Sequence, residues 1–211
     1  MFLLLPTTGL HAEVKEASVE FRVTRFDPQD RPAPKYKTPD GTEIEVPLHT
    51  IDGPYKVKLR DESFLDLQPA AGGKPTTIEI PPGLRRDLLL LFVPDKDGYR
   101  VLLTHAPVTR IGGGDCFVTN ATPSELAIQY GSGKPSRVAP ARSAVLHSPA
   151  GNKYEMLPVV IAQMRDEKWK TVRSENWPSD PRFRTFLVIY ELPPTGKIEI
   201  HAVPDRLQKP E

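Results

Sequence analysis

Short runs in which apolar and polar residues alternate dominate the chain. In "ASVEFRVTRF" (17–26) Val19, Phe21 and Val23 alternate with polar neighbours, and "GTEIEVP" (41–47), "PYKVKLRD" (54–61) and "TTIEIPP" (76–82) repeat the pattern. A period of two belongs to a strand with one face in a core and one in solvent. Further along, "DCFVTN", "LAIQYG", "SRVAP", "LPVVIAQM", "KWKTVRS", "TFLVIYEL" and "GKIEIHAV" are of the same kind. Turn residues separate these runs at intervals of about 8–12, the rhythm of a β-sandwich. No long stretch keeps a helical i, i+3, i+4, i+7 stripe clear of Pro and Gly.

Leu88 to Val93 is the most apolar run. It is far too short for a membrane helix, which needs about 20 residues. Asp95, Lys96, Asp97 and Gly98 then form a hairpin turn, and an alternating strand starts at Tyr99. A continuous apolar strand beside an alternating one predicts a central strand with a more exposed neighbour. The same order recurs near the C-terminus. "LLLLFVPDKDGYRVLL" (88–103) and "FLVIYELPPTGKIEIH" (186–201) both read as apolar strand, Pro-containing turn, Gly and alternating strand, with Gly98 and Gly196 at matching places.

Fainter echoes pair "YKTPDGTEIEVP" (36–47) with "YGSGKPSRVAP" (130–140) and "EFRVTR" (20–25) with "CFVTN" (116–120). Spacings of roughly 96–98 residues match one seven-stranded sandwich of about 100 residues. The predicted fold is all-β: tandem immunoglobulin-like β-sandwiches over 13–106 and 107–205, with a C-terminal tail at 206–211. The boundary falls near "HAPVTRIGGGD" (105–115). One elongated sandwich built from both halves is the alternative, because "HAPVTRI" is too apolar for a free linker.

Composition supports this. There are 24 prolines among 211 residues, about twice the usual share, and prolines break helices and confine strands to short lengths. The 28 basic and 27 acidic residues leave a net charge of +1, which gives no field to gather nucleic acid or an anionic membrane. The clusters "GLRRD" and "PRFR" each precede an apolar run, where charges guard against aggregation. The opening residues 1–12, "MFLLLPTTGLHA", read as the remnant of a signal peptide cleaved after Ala12, predicting export to a periplasmic or extracellular space.

Candidate chemistry is sparse. The single cysteine, Cys116, allows no internal disulfide and reads as a small buried hydrophobe. "GSGKPS" (131–136) lacks the spacing of a phosphate loop, and "DKDG" (95–98) lacks the later ligands of a calcium loop, so both read as turns. "IGGGD" (111–115) reads as a flexible joint or bulge. The five histidines form no metal-ligand spacing; His49 and His147, and His105 and His201, nearly follow the repeat and so are expected far apart. The pairs Asp61–Glu62 and Asp166–Glu167 are adjacent in sequence, so on a strand they point to opposite faces. "NAT" (120–122) fits a glycan-acceptor pattern. No cofactor and no metal is implied. Trp169 and Trp177 are the candidate ligand-binding residues, since an aromatic face can stack on a sugar or fill a core.

The runs "EKWKTVRSENWPSDPRFRTFLVIYELPPTGKIEI" and "GLRRDLLLLFVPDKDGYRVLL" resemble a loose group of uncharacterised exported bacterial β-proteins. In that group a signal peptide precedes two strand-rich halves, and the second half carries a W-x-x-V-x-S-x-x-W-like hairpin, matched here by Trp169, Val172, Ser174 and Trp177. A segment like "CFVTNATPSELAIQYG" is also typical of it. The resemblance implies an extracytoplasmic β-sandwich and no particular activity. The functional expectation is a non-catalytic module that binds a protein partner or the envelope, with neither nucleic acid nor a transmembrane segment involved. The alternatives are a carbohydrate-binding module using an exposed Trp, with an envelope glycan as ligand, and a hydrolase whose site assembles only on folding.

Overall fold

A computed structural model describes residues 17–27, 31–96, 98–192 and 195–207. The signal-like segment 1–12 and the last residues of the tail, 208–211, lie outside them. The first half contains β1 (Ser18–Arg25), β2 (Lys35–Lys37), β3 (Glu43–Glu45), β4 (Asp52–Lys58), β5 (Phe64–Pro69), β6 (Thr76–Glu79), β7 (Leu88–Asp95) and β8 (Gly98–His105). The second contains β9 (Cys116–Asn120), β10 (Leu126–Tyr130), β11 (Ser136–Val138), β12 (Ser143–Leu146), β13 (Glu155–Arg165), β14 (Lys168–Ser179), β15 (Phe183–Leu192) and β16 (Lys197–Arg206).

These strands form four four-stranded sheets, and the duplication read from sequence is complete at the level of topology. The first half has sheets β4-β1-β7-β8 and β3-β2-β5-β6; the second has β12-β9-β15-β16 and β11-β10-β13-β14. Each strand has a counterpart eight strands on, including the parallel pairs β1–β7 and β9–β15. The tandem sandwiches therefore have eight strands each rather than seven. β2, β5 and β12 are the short strands that the alternation had not marked.

The four sheets stack as layers around three cores. Val19, Phe21, Leu65, Leu67, Leu90 and Phe92 belong to the core of the first sandwich. Val118, Ile128, Val159, Trp177, Leu187 and Ile189 belong to that of the second. A third core joins the halves: Leu89, Leu91 and Val93 of β7 meet Phe117 of β9 and Phe186, Val188 and Tyr190 of β15, with Phe26 and Val203 beside them. The continuous apolar run on β7 now has its cause. β7 is central and alternates between two cores, so both of its faces are buried. Its edge neighbour β8 is covered less completely, with Tyr99, Val101 and Leu103 against the first core, Leu102 against the third and Arg100 exposed. The connecting segment packs rather than swings, with Ala106 and Ile111 in the third core.

Facing also corrects the register of the repeat. A shift of 98 residues would put Leu88, which faces its own sandwich core, onto Phe186, which faces the other half. Matching the faces equates Leu90 with Leu187, because a one-residue slip exchanges the two sides of a strand. Gly98 and Gly196 accordingly differ in place. Gly98 pairs with Asp95 across a two-residue turn, whereas Gly196 sits inside a longer turn between Leu192 and Lys197. The same alignment equates Arg25 with Asn120, two buried polar side chains that do the same task. Arg25 Nε donates to the Val46 carbonyl (3.1 Å), and Asn120 Nδ2 to that of Val138 (2.8 Å), tying the first strand of each sandwich to the opposite sheet.

The glycines of "IGGGD" do not form a flexible joint. A Cβ on Gly113 would collide with the Pro181 carbonyl, and one on Gly114 would stand 2.6 Å from Ser179 Oγ at φ +81°. The segment needs glycine because another chain segment presses on it.

Candidate binding face

The site rests on a comparison that the duplication makes possible. The two outer sheets are counterparts, each covering its own core on one side and facing outward on the other. On the first, Lys35 pairs with Glu45 (2.9 Å) and Lys37 with Glu43 (3.0 Å) across β2 and β3. Arg60 reaches Asp66 on β5 (2.6 Å), which also accepts from Thr77 Oγ1 on β6 (2.6 Å). This face is a lattice of charges.

The second outer sheet is different. On β13 the inward residues Leu157, Val159, Ile161 and Gln163 alternate with Met156, Pro158, Val160, Ala162 and Met164, which form a single outward row. Their partners across β14 are Pro178, Asn176, Ser174, Thr171 and Trp169, and β10 adds Ala127 and Gln129. The bulge in the β13–β14 pairing between Ile161 and Ala162 lets the row continue through a twist. Among the paired positions of this face the one charged side chain is Arg137 of β11, opposite Ala127, whose guanidinium lies 5.5 Å from the centre of the Trp169 ring. Met156 is 47% exposed, and Tyr154 just before the strand is 62% exposed.

Of the two candidate tryptophans, Trp169 stands in this face, half-buried beside Met164. Trp177 does not. It is 8% exposed in the second core, 6.3 Å from the Tyr130 ring, and its Nε1 donates to Glu175 (2.7 Å). Eight residues apart, the two would share a face by alternation alone; the irregularity at Val172 puts them on opposite faces. The structure therefore gives Trp177 a packing role and leaves the Trp169 ring partly exposed on the outer face, beside Arg137.

The other constellations resolve as follows. Asn120 is fully buried: both Nδ2 bonds go to the Ser124 and Val138 carbonyls, and its Oδ1 accepts from the Thr122 amide and hydroxyl. It closes a turn and cannot carry a glycan in the folded chain. Asp61, Glu62, Asp166 and Glu167 all have φ between 48° and 60°, as tight-turn residues do. Cys116 is buried, which pushes its thiol up to about 12. Asp115 fixes a loop by accepting from the Gly112 and Ser148 amides, and its Oδ2 lies 3.0 Å from His147 Nδ1. The neighbouring hydroxyl of Ser148 is committed to Ser179 Oγ (2.6 Å).

The histidines do not follow the repeat. His49 and His201, from opposite halves, meet with Nδ1 and Nε2 2.6 Å apart and ring planes 15° from parallel. Burial first, and then His49, push His201 down to about 4. Among the described residues no three His, Cys, Asp or Glu side chains gather to hold a metal, and no helix is long and apolar enough to cross a membrane.

Sequence reading had the outward row of β13 in view as "LPVVIAQM" without a way to tell that one side is uncovered. β7 and β15 are equally apolar, and both of their sides are covered. No protein-family model matches the chain, and no curated protein matches it in sequence.

Proposed function

We propose that the chain is a non-catalytic, extracytoplasmic binding module that engages a protein partner through the outer face of its second sandwich. The observation that carries this is the contrast between duplicated faces: one carries three cross-strand ion pairs, and its counterpart is apolar or uncharged around Met156, Val160, Met164 and Trp169. Methionine and tryptophan are enriched where proteins meet, and depletion of charge marks the centre of an interface. At about 3.4 Å per residue β13 runs roughly 35 Å, and four strands about 4.8 Å apart give a width of roughly 15–20 Å. Because β10 and β11 span only five and three residues, the face is on the order of 450 Å², the scale of a small interface set against the roughly 800 Å² per partner of a standard one. The partner that fits is a protein surface of matching low charge. Export is supported by the signal-like residues 1–12.

The test is capture from an envelope fraction with wild type, Val160→Glu on the apolar face and Glu45→Lys on the charged one. Retention of one partner by wild type and Glu45→Lys, with loss in Val160→Glu, supports the reading. Equal retention by all three refutes it. Glycan recognition is the second reading, favoured only by the partial exposure of Trp169. Binding on a glycan array that Trp169→Ala abolishes would establish it in place of the first.

A further inference from the structure

We infer that two copies of the chain pair antiparallel along β14, so that the outer sheet of the second sandwich continues from one chain into the other. This pairing goes beyond the binding role of the outer face and stands whether or not that face takes a partner. β14 is an edge of its sheet, with β13 on one side and no strand on the other among the described residues. It is also twelve residues long. The other edges of the two outer sheets, β3, β6 and β11, have three, four and three residues. β6, the counterpart of β14, is soon followed by Pro81 and Pro82. Short edges and prolines keep a sheet from adding strands, whereas a long open edge is a template for one.

The backbone groups that this edge offers follow from the far side of β13. The Pro158 carbonyl accepts from the Gly131 amide (2.8 Å), and the Met164 amide donates to the Glu125 carbonyl (3.0 Å). Both residues thus turn their backbone groups towards β10. Their partners on β14, Asn176 and Trp169, turn theirs away from β13. Ser174 and Thr171, each two residues nearer the bulge, do the same. Pro178 falls in the same phase, where its missing N–H costs no bond to β13. A second β14, run antiparallel about a point between Val172 and Arg173, sets bulge opposite bulge. Trp169 then faces Asn176 of the second copy, and Thr171 faces Ser174 of the second copy. Each such pair exchanges both N–H···O bonds and keeps its side chains on the outer face.

Charge selects this register. On the inward side of the strand it sets Lys170 opposite Glu175 of the second copy, and the two-fold repeats the pair in reverse. A shift of two residues either way sets Lys170 against Trp177 or Arg173 instead, which loses the ion pair or turns it into repulsion. Both charges already stand at the edge, Lys170 with Asp166 (2.9 Å) and Glu175 with Arg173 (2.8 Å). Pairing also joins the two uncharged outer faces into one surface.

Sedimentation velocity of the purified full chain over micromolar concentrations tests this, with no other protein present. Wild type should dimerise. Asn176→Pro, which removes an edge amide while sparing the bonds to β13, should stay monomeric. Lys170→Glu sets like charges opposite each other and should raise the dissociation constant about tenfold or more. Lys170 is exposed, so this variant keeps the test decisive should Asn176→Pro fail to fold. Lys37→Glu, on the other outer sheet, should dimerise as wild type does. A mixture of Thr171→Cys and Ser174→Cys chains should join through a short bismaleimide more readily than either variant alone, the native Cys116 being buried. A wild-type monomer throughout overturns the pairing and leaves the edge to a strand of another protein. Undiminished dimerisation of Lys170→Glu or of folded Asn176→Pro, or equal weakening in Lys37→Glu, overturns it in favour of contact through another surface. A dimer whose cysteine mixture does not join would likewise overturn this register.

Discussion

Acidification is expected to weaken the junction between the sandwiches through one imidazole. His201 faces the other half, with the centre of the Phe26 ring 5.0 Å from its own in an edge-on arrangement and the His49 ring nitrogen at 2.6 Å. Glu199 and Asp205 lie on the same side of its strand, each already paired, to Lys197 and Arg184 respectively. Burial, and then His49, lower His201 from 6.5 to about 4. A proton therefore binds the unfolded chain more readily than the folded one between these values. The contribution to stability is complete above about pH 6.5 and is lost as the pH falls towards about 4. The full difference corresponds to about 3.4 kcal/mol, of which about 2.5 kcal/mol is lost by about pH 4.5. Solvent on the open side of the pair reduces this to about 1 kcal/mol.

Urea unfolding of wild type and His201→Gln at about pH 7.5 and about pH 4.5 isolates the effect, since the carboxylates titrate alike in both proteins. Wild type should lose about 1 kcal/mol more than the variant. Parallel losses in the two proteins would refute the reasoning, and so would a larger loss in the variant.

Three further outcomes are expected. Asn120→Ala leaves buried amide and carbonyl groups without partners and should cost roughly 3 kcal/mol in denaturant unfolding; a loss under about 1 kcal/mol would contradict its role as a buried tie. Trp177→Ala should cost about 3–5 kcal/mol by the same measurement, whereas Trp169→Ala on the outer face should cost less than about 1 kcal/mol. Cys116 should resist iodoacetamide in the native protein at neutral pH and react on unfolding, as mass spectrometry would show, because burial both shields its thiol and suppresses the thiolate.

Alternation and turn residues made most of this fold readable, because each sandwich hides one side of its outer sheet and solvent sees the other. The run at Leu88 to Val93 identified a central strand. The second core that it serves was not readable, since apolar residues on both sides of a strand look the same whether one core or two lie behind them. β2 is three residues long with one buried side chain, Tyr36, so it offered little pattern. The register of the repeat was off by one because its hairpin turns differ in length and the runs are apolar throughout. Trp169 was found from its type alone, and its surroundings came from β10, β11 and β13. The meeting of His49 with His201 lay beyond reach for another reason. The halves pack as counterparts reversed, which brings together residues that the repeat itself keeps apart.

That reversal bears on how the molecule came about. β7 faces its own counterpart β15, and β8 lies over β12 as β16 lies beside the approach to β4. This is the isologous contact of a two-fold symmetric homodimer, written into one polypeptide. Joining the subunits frees each copy from having to serve as both partners at once. One outer face could keep its charges while the other shed them. The chain has the geometry of a covalent dimer whose halves have diverged at their surfaces.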